Sequence, residues 1–83
     1  MSLADLAALP PHLLAASIVR GRERLPVRVH RLGPDGLIVV GPAGLAVRER
    51  ARVSIACPLR GTTCEVVAEA VRTSAGRTWL ALV

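Results

Sequence analysis

Ile18-Val19-Arg20-Gly21-Arg22-Glu23-Arg24-Leu25-Pro26-Val27-Arg28-Val29 is the stretch on which the reading of the fold turns. Three arginines alternate with a glycine and a glutamate, and a short alternating apolar run comes directly after. Beyond it the chain reads as small β structure, and before it as a helical lead-in. An arginine hook joined to the first strand of a small barrel suits an anion, because a guanidinium grips phosphate through two parallel hydrogen bonds. The same run also reads as a solvated basic linker, since charged stretches usually face water.

Working outward toward the N-terminus, Ser2-Leu3-Ala4-Asp5 has the spacing of a helix cap, with an acidic residue where the helix dipole favours one. Leu3, Leu6 and Leu9 fall on or near one face of the short helix beginning there. Pro10 ends it, and Pro11 is placed to start a second turn at His12. From His12 to Val19 the apolar set Leu13, Leu14, Ile18 and Val19 predicts an amphipathic helix. Residues 1–19 are thus expected to be a helical lead-in packed on a β domain of residues 20–83, with Gly21 breaking the helix inside the arginine cluster.

Toward the C-terminus the turn signals come every eight to twelve residues. Val27 and Val29 should point to one side with Arg31, and Arg28, His30 and Leu32 to the other, as in a strand with one wet face. Gly33-Pro34-Asp35-Gly36 marks a turn. Leu37-Ile38-Val39-Val40 is an apolar strand, interrupted by Gly41-Pro42-Ala43-Gly44 and resumed by Leu45-Ala46-Val47. The paired glycines suggest a reversal or bulge where the backbone passes close to a ligand phosphate or to a neighbouring strand. Arg48 to Arg52 is polar. Val53, Ile55 and Cys57 alternate with Ser54 and Ala56, and Pro58 and Arg60-Gly61 close that strand. Cys64, Val66, Ala68 and Ala70 line one face of the next, opposite Glu65 and Glu69. Ser74-Ala75-Gly76 is the last hairpin, and Arg77 to Val83 the last strand, with Trp79 and Leu80 on opposite faces. The expected fold is mostly β, a small antiparallel barrel of about six strands with a short N-terminal helical lead-in.

Composition narrows the function classes. Eighty-three residues hold one core, and with 52% apolar residues and a single aromatic, Trp79, that core must be aliphatic. The net charge of +5 comes entirely from arginine, which favours anionic partners. A small basic nucleic-acid-binding barrel is a further alternative: eleven arginines support it electrostatically, although they are spread along the chain and one tryptophan does not by itself build a stacking platform. Cys57 and Cys64 lack a nearby histidine pair, so free thiols are expected in place of a metal site. His12 and His30 have no companion of the kind a catalytic constellation requires, and no nucleophile stands beside a base, so no catalytic residue is assigned. The N-terminal stretch lacks the pattern of a secretory signal, and a cytoplasmic location is the expectation.

The order of these elements resembles the PilZ domain family, bacterial modules that bind cyclic di-GMP. The likeness rests on Arg20-Gly-Arg-Glu-Arg24 with Leu25-Pro26-Val27 directly after it, which is similar to the family's Arg-x-x-x-Arg motif ahead of a strand, and on Val39-Val40-Gly41-Pro42-Ala43-Gly44-Leu45. In the latter the family carries Asp/Asn-x-Ser-x-x-Gly. Here Val39 replaces the acid or amide and Gly41 the serine; Gly44 alone remains. The resemblance implies a ligand site of Arg20, Arg22, Arg24, Gly41 and Gly44, with arginines on phosphates and bases, and no metal or cofactor beyond cyclic di-GMP itself. Losing two partners of a bound base costs about 1–3 kcal/mol each. The resemblance with a degenerate motif therefore implies a signalling or motility adaptor that works by contact with a bacterial protein. The alternative is a receptor in which the hook and backbone N–H groups of the glycine loop still capture the dinucleotide.

Overall fold

The structure is a computed structural model, described over residues 3–41 and 44–83. Six antiparallel strands close into a barrel, in the spatial order β1-β2-β3-β6-β5-β4. They are β1 (Ala15–Arg20), β2 (Glu23–Leu32), β3 (Gly36–Val40), β4 (Arg50–Cys57), β5 (Thr62–Ser74) and β6 (Arg77–Leu82). A one-turn helix α1 (Leu3–Ala7) and a 3-10 turn (Pro11–Leu13) precede them. The predicted Ser2 cap and the reversal at Pro42 and Ala43 lie outside the described residues.

The helix predicted from His12 to Val19 is corrected to a 3-10 turn and then strand β1. Its buried residues are Leu14, Ala16 and Ile18, a period of two, where the sequence also fits a period of 3.6. Tertiary pairing decides between them: β1 bonds to β2 on one side and β4 on the other, and so closes the barrel. Gly21 does not break a helix. With a positive φ of 59° it is the first central residue of the two-residue turn between β1 and β2, the position a type II′ turn gives to glycine.

Inside, the barrel is aliphatic: Ile18, Val39, Val53, Ile55, Ala68 and Ala70 are fully buried. Leu6 of α1, also fully buried, joins this core from the segment that leads into β1. Leu45 joins it from the connection between β3 and β4. The strand predicted at Leu45-Ala46-Val47 is absent; these residues form an irregular loop with Leu45 turned inward and Val47 exposed. Leu32 also departs from expectation, lying in the core beside Val27 and Val29. The register slips between Val29 and Arg31, so His30 is an extra residue that flips the parity of Arg31 and Leu32. A second slip, between Ala70 and Arg72, makes Val71 the extra residue of β5.

Cys57 is buried and Cys64 half-buried, both as free thiols. All eleven arginines are exposed. No described helix is long and apolar enough to cross a membrane.

Candidate anion-binding site

Arg20, Arg22 and Arg24 fall within a tight hairpin. Arg20 pairs with Glu23 across the ladder, Val19 pairs with Arg24, and Gly21-Arg22 form the turn. The alternation of the strands separates the three side chains. Arg20 continues the inward row of Ala16 and Ile18 and emerges at the barrel end, Arg24 stands beside Val19 on the outer surface, and Arg22 sits at the tip.

Arg20 is engaged within the protein. Its Nη1 donates to the Gly44 carbonyl oxygen at 2.7 Å, and its Nη2 lies 2.7 Å from Glu49 Oε2. The other oxygen of Glu49 accepts the Ala46 N–H at 3.1 Å, and the Glu49 N–H donates to the Ala46 carbonyl. One guanidinium and one carboxylate thus hold the loop of residues 44–49 against the end of β1. Gly44 has a positive φ of 65°, and a Cβ there would stand 3.4 Å from Arg20 Nη1. The close approach that the glycine pair predicted is therefore, at Gly44, an approach to the Arg20 side chain. At Gly41 the backbone N–H is already spent on the Gly76 carbonyl, at 3.0 Å. Val39, the other altered motif position, is fully buried inside the barrel.

Beside the hairpin is a shallow open cleft of about 610 Å³, lined by Val19, Arg20, Gly21, Arg50, Arg52 and Val67. Its cations are matched by acids. Arg50 Nε lies 3.3 Å from Glu69 Oε1, and Arg52 Nη1 lies 3.6 Å from Glu65 Oε1. Both pairs are solvent-exposed and contribute little to stability, but they neutralise this side locally. Arg22 and Arg24 alone in this group have no ion pair among the described residues.

The sequence singled out this hairpin and missed a second arginine group. Arg28, Arg31, Arg72 and Arg77 come together on the far side of the barrel around Trp79. Parity placed Trp79 and Leu80 on opposite faces, and the structure turns Leu80 inward and Trp79 outward. The two bulges that bring Arg31 and Arg72 into its row leave no mark in the sequence. Among the described residues no group of three or more His, Cys, Asp or Glu side chains could hold a metal ion. No family model, characterised protein or solved structure matches the chain.

Proposed function

We propose that the chain is a non-catalytic, PilZ-like adaptor that acts through its outer surface on a bacterial protein partner and does not depend on cyclic di-GMP. The observation that carries this reading is the engagement of Arg20 by the Gly44 carbonyl and the Glu49 carboxylate. Two of the five guanidinium N–H groups are engaged, and a phosphate drawn to the others would stand beside the Glu49 carboxylate, whose charge repels it. Val39 supports the same reading, since a side chain directed into the core does not reach a surface ligand. Val47 and Leu59, both exposed on loops, offer apolar contact area for a protein.

Calorimetric titration of the full chain with cyclic di-GMP, beside Arg20→Ala, Arg24→Ala and Glu49→Gln, tests the proposal. No saturable heat is expected for the unmodified protein. Micromolar binding that disappears in both arginine variants would overturn it in favour of a receptor. That second reading draws on Arg22 and Arg24, which lack acidic partners beside the open cleft.

A further inference from the structure

We infer that the outer face of β2, β3, β6 and β5, centred on Trp79, is a binding surface for single-stranded nucleic acid. The ladder builds this face from residues far apart in sequence. Arg31 pairs with Ile38, Ile38 with Trp79, and Trp79 with Arg72, giving one outward row across four strands. The neighbouring row runs Arg28, Val40, Arg77, Ser74. With strands about 4.8 Å apart, Arg31 and Arg72 bracket roughly 14 Å of sheet with the indole between them.

Two features separate this face from the arginine hairpin, whose β1 lies opposite β6 in the closed strand order while β2 contributes to both. Neither row contains a carboxylate; Asp35 borders the hollow beside Arg31 and Trp79 and Glu69 lies in the adjoining row, yet none of Arg28, Arg31, Arg72 and Arg77 forms an ion pair among the described residues. On the hairpin side Arg20, Arg50 and Arg52 each have one. Four guanidinium groups without ion pairs on a fixed lattice, against the single carboxylate of Asp35 at one end, favour a polyanion. The second feature is the indole. The sole aromatic residue of the chain is spent on the surface, with the Arg72 guanidinium stacked 4.7 Å from its ring centroid. A planar cation on an indole is a ready-made stack to which a nucleobase adds its own π face, and stacking of this kind does not depend on base identity.

The shape of the face favours nucleic acid over an acidic peptide. A peptide strand would need an unpaired sheet edge, and the closed barrel presents none among the described residues. A peptide helix would need a long apolar groove, whereas the apolar hollow here, bounded by Ile38, Val71 and Trp79, holds only about 340 Å³. An unpaired strand can lay its phosphates along the arginines and turn its bases onto the indole; a duplex keeps its bases stacked inside.

The test is a titration of the full chain with a labelled oligothymidylate of about a dozen nucleotides. It is read by anisotropy and by the fluorescence of Trp79, the only indole in the protein. The expected result is saturable binding that quenches the indole. The logarithm of affinity should fall with the logarithm of salt at a slope of about −3, from four phosphate contacts at ~0.7 each. Arg31→Ala and Arg77→Ala should each reduce that slope by about 0.7, and Trp79→Leu should weaken binding roughly tenfold. Arg52→Ala, on the hairpin side, should change neither. Absence of saturable binding at low salt would overturn the inference, as would affinity unaffected by Arg31→Ala and Arg77→Ala. Equal competition by a polyglutamate peptide would overturn it too and give the face to an acidic protein. The inference does not rest on the adaptor reading: cyclic di-GMP probes the Arg20 hairpin, and the oligonucleotide probes the Trp79 face.

Discussion

At Gly36 the first strand after the Gly33-Pro34-Asp35-Gly36 turn passes so close to β6 that a methyl group would collide with the Leu80 backbone carbonyl. Backbone on both sides cannot yield as a flexible side chain does. Gly36→Ala is expected to cost about 2–3 kcal/mol, read as a lower urea midpoint with an unchanged slope. The opposite sign is expected at Ala75. Ala75 and Gly76 form the two-residue turn between β5 and β6, both with positive φ (51° and 76°), the pattern of a type I′ turn. A methyl side chain is strained in that region, and asparagine tolerates it better. Ala75→Asn should raise stability by about 0.5–1 kcal/mol, visible as a melting temperature a few degrees higher. The sequence marks both turns by composition. It does not mark the clash at Gly36, because that depends on which strand lies alongside.

Among the elements, β1 and the loop of residues 44–49 depend on each other through Arg20 and Glu49. Both side chains are about a third exposed or more, so the ion pair itself is screened and worth under about 1 kcal/mol. Its larger effect is to order the loop, since Glu49 also accepts the Ala46 N–H. Glu49→Ala should therefore leave the global unfolding free energy nearly unchanged while the Ala46 amide exchanges its hydrogen markedly faster. Equal protection at Ala46 in the variant would show that Leu45 and the backbone bonds of Arg48 and Glu49 with Ala70 anchor the loop without the carboxylate. The strands β2 to β6 were legible because alternation and turn residues agree in them. The segment from His12 to Val19 was not, because alanines at positions 15 and 16 satisfy a helical and an alternating pattern equally well. The two bulges were equally hidden, since a single extra residue at His30 or Val71 has no compositional signature.

At the scale of the whole molecule, β1 makes the difference between an open sheet and a closed barrel. Deleting residues 1–20 would remove the only strand that joins β2 to β4. It would expose two unpaired edges and one side of the aliphatic core. The truncated chain is expected to aggregate or to lose its cooperative thermal transition, as checked by size-exclusion chromatography and circular dichroism. A monomeric truncated chain with a cooperative melt would mean that residues 21–83 close without β1. Closure also gives the molecule two sides of unlike electrostatics: a hairpin side where acids pair with arginines, and a Trp79 side where the arginines form no ion pair among the described residues.

By itself the sequence determined that this protein is a small, mostly antiparallel β-barrel with an aliphatic core and an arginine-studded exterior. Alternation, turn residues and composition are local properties, and beyond Val27 they agree except at Leu32 and at Leu45-Ala46-Val47. Only the tertiary structure decided that residues 15–20 are a strand, that Arg20 is bound internally, and that Arg28, Arg31, Arg72 and Arg77 share a face with Trp79. Each of these depends on strand register and on barrel closure, and closure pairs residues more than thirty positions apart, β1 with β4 and β3 with β6. A one-residue slip in such a ladder moves a side chain to the other face, and no pattern within a single strand records it.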